Sequence, residues 1–211
     1  MNRITGFVIT IVWNIVGAMP AMAIEEAPYD IVNKDKPFEI RDYAPHIVAE
    51  TVVGGSLEDA GSRAFKILFA YISGDNRSRQ SVAMTAPVAQ QANAEKIKMT
   101  APVGQQQVED KWVVSFMMPA AYTMETLPVP ESPQVMLRQV PGRRMAAVRY
   151  SGFWNEKGYL ENKAKLEAWI EDNGFNIAGN ALWARYNAPF TPWFLRRNEV
   201  LIPVVSDANR N

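Results

Sequence analysis

One histidine and no cysteine limit what chemistry this chain of 211 residues can do. With His46 as its only imidazole, multi-histidine zinc sites and the facial iron triad are excluded. Without cysteine there are no disulfides, no thiolate metal sites and no Cys-x-x-Cys-His cofactor attachment. A Ser-His-Asp mechanism would have to use His46, which follows Ala44-Pro45 at the tip or start of a strand, and no Gly-x-Ser-x-Gly elbow accompanies it. Asp42, Glu50 and Glu199 are candidate acids, yet their spacing singles out no carboxylate pair. Most enzyme classes fall at this point, and the reading is that the chain is not an enzyme.

The side chains left for binding sit on recognisable elements. Ser56 offers an N-cap, with Asp59 three residues on, and apolar residues from Leu57 to Ile72 recur at helical spacing until Gly74 stops them. Their sweep of roughly 200° exceeds the stripe of about 100° that faces a single core. Phe65 and Phe69 share one edge of it. That edge either meets a curved sheet or lines a ligand cleft.

Before this helix, Phe38–Tyr43 and Ile47–Thr51 read as a hairpin around Ala44-Pro45-His46. After it, Met-Thr-Ala-Pro-Val occurs twice, at 84–88 and 99–103. Each proline removes a backbone donor, which favours edge strands or a bulge, with the polar stretch 89–95 joining two arms. Trp112–Met118 reads as a buried strand. A proline-rich connection over 120–134 leads to strands near 135–140 and 144–151. A second helix follows from about Asn155 to Asp172, then strands near 181–187 and 197–204.

The two stretches share a plan. Residues 38–119 and 135–205 each run β-β-α-β-β, with Arg41 and Arg138 at the same step and an Ala-Pro pair in each (Ala86-Pro87, Ala188-Pro189). The expectation is an α+β fold: duplicated halves forming a distorted, mainly antiparallel eight-stranded barrel or sheet with two helices. Residues 37–205 form one domain, preceded by a polar lead-in (24–36) and followed by a tail (206–211).

Residues 1–23 combine Arg3, an apolar run from Ile4 to Val16 and Ala21-Met-Ala23, the pattern of a cleaved signal peptide. This predicts export, most simply to a periplasm; retained, the segment would anchor the chain in a membrane. Charge is balanced at 22 basic against 22 acidic residues, so neither nucleic acid nor an anionic membrane surface is an expected partner.

Several runs carry a further signal: Tyr43-Ala-Pro-His-Ile-Val-Ala-Glu-Thr, Phe69-Ala-Tyr-Ile-Ser-Gly-Asp-Asn, the Met-Thr-Ala-Pro-Val pair, Phe116-Met-Met-Pro, and Tyr186 through Val200. Together, over about Tyr29–Val205, they resemble the SOUL haem-binding protein family. The resemblance implies non-covalent, reversible binding of haem b or another tetrapyrrole, for buffering, transport or scavenging in the cell envelope. In that family the ring lies between the first helix and the loop joining the last two strands. Carried over, the helix face is Gly61, Phe65, Leu68 and Phe69. In the loop, Phe190, Trp193 and Phe194 would form flat walls, while Arg196 and Arg197 would meet propionates. Where some members place a lysine in this loop, the chain has Thr191, and a histidine proposed as iron ligand falls at Asp42. His46 is the remaining imidazole, and Met84, Met99, Met117, Met118 and Met145 are possible thioether donors. The same fold resembles effector-type small-molecule binding domains, so a non-porphyrin ligand is the alternative, and an enzyme acting on a small planar substrate a lesser one.

Overall fold

The computed structural model describes residues 24–79 and 94–206. The signal-like segment 1–23, the first Met-Thr-Ala-Pro-Val copy with Met84, the stretch 89–93 and the tail from 207 lie outside them. The elements run β1 (Tyr29–Asp35), β2 (Phe38–Tyr43), β3 (His46–Val53), α1 (Leu57–Ser73), β4 (Asn76–Arg77), β5 (Val103–Val108) and β6 (Lys111–Met117). Then come β7 (Val129–Pro130), β8 (Met136–Val140), β9 (Arg143–Tyr150), α2 (Glu156–Asp172), β10 (Phe175–Ile177), β11 (Leu182–Arg185) and β12 (Asn198–Ser206).

Local chemistry sets both helices. Ser56 Oγ accepts from the Asp59 amide at 3.2 Å, and Gly74 ends α1 at φ 131°, a backbone region that side chains disfavour. Asn155 Oδ1 caps α2 by accepting from Gly158 N at 2.8 Å. The helices cover one face of a ten-stranded antiparallel sheet in two adjoining cores. Leu166, Trp169 and Ile170 of α2 meet Ala146, Val148 and Ile202. Ala64, Leu68 and Tyr71 of α1 meet Ala49, Val114 and Phe116. Strand alternation sends Met145, Ala147 and Leu201 to the opposite face, into a smaller cluster with Tyr186.

Three expectations are corrected. The sheet runs β1-β2-β9-β12-β11-β5-β6-β3-β8, with β10 beside β12, so it is open rather than a closed eight-stranded barrel. Part of the extra width is the expected lead-in: β1 pairs along β2 as an exposed, polar edge strand, a composition that discourages further pairing. Second, β2 and β3 are not a hairpin. β2 pairs with β1 and β9, while β3 pairs with β6 and β8, so the chain changes partner strands at Ala44-Pro45. Consecutive β8 and β9 part the same way at Pro141-Gly142, where a Cβ on Gly142 would stand 3.0 Å from Tyr43 O and 3.2 Å from Pro45 Cδ. Third, the hairpin after α1 is β5–β6, with Glu109 at φ 55° in its turn. The second Met-Thr-Ala-Pro-Val copy is irregular and only leads into β5.

Candidate functional site

The first half of α1 and the β11–β12 connection face one another across a cavity of about 640 Å³. Phe65, Met99, Val103 and Trp154 supply apolar wall, and Phe190 stands at its edge. Lys66 and Arg185 are the cations that line it, and no carboxylate does, among the described residues.

The loop is tied by its own chain. Arg196 donates from Nε to Thr191 O at 2.8 Å and from Nη2 to Pro189 O at 2.7 Å, with its guanidinium 4.4 Å from the Trp154 ring. The Arg197 amide donates to Asn187 Oδ1 at 2.6 Å, closing the base of the loop. A loop held at both ends is a fixed wall for the cavity, not a free strap.

Arg185 is the unusual group. It shares the parity of Trp183 on β11, so it points to the helix-covered face. Its guanidinium lies 4.9 Å from the Trp183 ring and 5.5 Å from the Trp154 ring. Its Nη2 donates to Gln105 Oε1 at 3.1 Å, and Gln105, fully buried, is itself fixed by donating to Leu57 O at 2.7 Å. Gly61 makes this possible, because a Cβ there would meet Gln105 Oε1 at 2.8 Å and both Arg185 Nη atoms at 3.1–3.2 Å. No ion pair reaches Arg185 among the described residues, and its buried Nε has no acceptor. Burial pushes its pKa down to about 10, slightly offset by Tyr150.

The other buried arginines contrast with it. Glu199, with no exposure, accepts from Arg41 at 2.6 Å, Arg197 at 2.9 Å and the Tyr186 hydroxyl at 3.0 Å. Burial works against the charge on Arg41 and Arg197, but Glu199 outweighs it and both pKa values are raised. Arg197 also pairs with Glu26 at 2.9 Å.

The positions expected from sequence therefore separate. Gly61, Phe65 and Phe190 line the cavity. Phe69 stacks on Phe65 at 5.7 Å and is nearly half exposed. Leu68 is sealed in the core, and the Arg196 and Arg197 head groups are spent on the loop and on Glu199 and Glu26. Trp193 stacks on Phe153 at 5.3 Å, with Phe194 edge-on to it, forming an exposed aromatic ledge away from the cavity lining. His46 begins β3 with Nδ1 3.0 Å from Ala44 O, and lines two other cavities. Burial, with Arg143 and Arg138 nearby, lowers its pKa. Among the described residues, Met99 is the only one of the named methionines that reaches the slot.

Arg185 and Trp154 were missed by sequence reasoning. The two-residue period of β11 was the available signal for Arg185: a charged residue in step with Trp183 must enter the interior. Truncating Leu68 to Ala is expected to lower unfolding free energy by about 2–5 kcal/mol through the core cavity. Phe69→Ala should lie within about 1 kcal/mol, since half of its surface is already wet. Urea unfolding of the two variants checks this assignment.

The family model described as "SOUL heme-binding protein" matches residues 24–203. No curated protein matches the chain. Among solved structures, the EcmrR C-terminal domain is similar at 10% identity and a TM-score of 0.59, over 84% of this chain and 98% of that one. A hydrolase from Listeria innocua is similar at 14% identity and a TM-score of 0.54, over 82% and 94%. At these identities the likeness is one of fold alone.

Proposed function

We propose, for a chain that belongs to the SOUL heme-binding protein family, that the slot between α1 and the β11–β12 loop holds a haem or related tetrapyrrole without covalent attachment. The supporting observation is the lining: apolar and aromatic walls, two cations and no carboxylate among the described residues, around about 640 Å³. Small-molecule sites typically span about 300–1,000 Å³ and combine such walls with a few polar groups. Phe65, Val103 and Trp154 would exclude water from the faces of the ring, and Lys66 and Arg185 would attract its acid groups.

Bound haem would bring a redox-active iron, but the slot offers that iron little. Tyr186 reaches the slot, yet its hydroxyl donates to Glu199 and its pKa is driven well upward by burial and by that carboxylate. His46 opens elsewhere. Among the described residues, Met99 alone presents a neutral soft donor. Affinity then comes from burying the macrocycle, which suits a protein that takes up and releases its ligand. With residues 1–23 acting as an export signal, the setting would be buffering or relay of haem in the cell envelope. Two strands lead directly into each helix, β2–β3 into α1 and β8–β9 into α2, an order that fits a doubled half-domain.

The ligand reading is tested by absorbance titration with ferric haem and with iron-free protoporphyrin. Both are expected to saturate, with affinities within about threefold, because burial and not iron ligation carries the binding. His46→Ala should leave the Soret band unmoved. Absence of saturable binding by either ring would end the proposal.

A further inference from the structure

An arginine that is buried without a carboxylate is disfavoured by its surroundings. Arg185, only partly exposed where it lines the slot, approaches that case: desolvation lowers its pKa, although at about 10 it still carries its charge at neutral pH. Its Nε–H is enclosed and lacks an acceptor. Tyr150, close enough to influence it electrostatically, turns its hydroxyl to the Nε1–H of neighbouring Trp183 and not to Arg185. Of the enclosed polar atoms without partners among the described residues, the Arg185 Nε is the one carried by a residue that lines the slot.

The surroundings hold this cation in place while leaving it unneutralised. Gln105 offers it a neutral oxygen, with its amide locked by Leu57 O. Gly61, at some cost in helix stability, clears the space against α1. Two indole faces favour the charge, but they leave the enclosed Nε–H without an acceptor. We propose that Arg185 is the anion-reading residue of the slot, so that its preferred occupants are flat apolar acids and not neutral rings of the same shape. The inference rests on the tetrapyrrole reading for the shape of the ligand and adds the charge that the slot selects. It also moves anion recognition from Arg196 and Arg197, which are already committed, to Arg185.

The test compares protoporphyrin with its uncharged dimethyl ester, titrated against the wild-type chain, Arg185→Met and Gly61→Ala. The wild type is expected to prefer the acid by at least about tenfold, the range of a charge-assisted hydrogen bond. Arg185→Met should abolish the preference by weakening the acid and sparing the ester, while its melting temperature is kept or raised. Gly61→Ala, whose Cβ displaces the guanidinium, should narrow the preference with Arg185 still present, so the inference stays testable if Arg185→Met does not fold. Equal binding of acid and ester by the wild type would overturn the role of Arg185 and leave the slot standing. So would a parallel loss of both ligands in Arg185→Met, the result of a merely structural role. Binding of neither ring would overturn the proposed function itself.

Discussion

Replacing Glu199 by Leu is expected to lower unfolding free energy by about 3–5 kcal/mol, the range seen when one member of a buried ion pair is removed. The carboxylate has no exposure and is engaged by two guanidinium groups and a phenol. Arg41, itself only 3% exposed, would keep its charge beside leucine, with Glu39 at 2.8 Å and Tyr43 at 3.1 Å as its remaining side-chain partners. Arg197 would fare better, because Glu26 already accepts from it. The double variant Arg41→Met/Glu199→Leu should therefore recover most of the loss, as apolar replacement of a whole buried pair is often nearly neutral. Urea midpoints of the three proteins measure it. A single-variant loss below about 1 kcal/mol, or a double variant no better than the single, would refute this account.

The same network bears on ligand class. Glu199, beside the slot through Tyr186, is saturated from three sides. The slot next to it has the opposite character, with a guanidinium that meets no carboxylate and, among the described residues, no acid in its lining. The proposed preference for an acid therefore rests on charge and not on fold, since the EcmrR domain and the Listeria hydrolase share the architecture at only 10–14% identity.

The legible and illegible parts of this fold divide along local and non-local lines. Ser56, Asp59 and Gly74 declare the ends of α1 because capping is decided within a few residues, and the structure places its caps there. The pairing of β2 with β9 and of β3 with β8 was not legible: a short Ala-Pro link is compatible with a hairpin, and only the rest of the sheet decides against it. The lead-in became β1 because an edge strand may be polar, which removes the alternation that marks a half-buried strand. On α1, three residues rotate the helix by about −60°, enough to turn Leu68 from the slot margin at Phe65 into the core. Arg185 was passed over because arginine is rarely read as interior. Arg196 and Arg197 drew attention through adjacency, though adjacent residues point to different places.

If the slot is the site, closing it should remove binding and leave the fold intact. Ser62 lies on the exposed side of α1, one residue beyond Gly61, and its side chain lines the cavity without contributing to either core. Tryptophan there has a solvent-facing helical position, so Ser62→Trp should change unfolding free energy by no more than about 0.5 kcal/mol. Its indole would occupy part of the space between α1 and Ala188-Pro189. Denying a flat ligand about 100 Å² of apolar contact at about 25 cal/mol/Å² removes about 2.5 kcal/mol, or roughly 70-fold in affinity. Trp193→Ala is the matched comparison, because the exposed ledge it shares with Phe153 stands apart from the lining. Porphyrin titration should show the large loss in Ser62→Trp and less than about threefold in Trp193→Ala. The reverse order would move the binding surface from the slot to the ledge, and with it every role assigned to Phe65, Trp154 and Arg185.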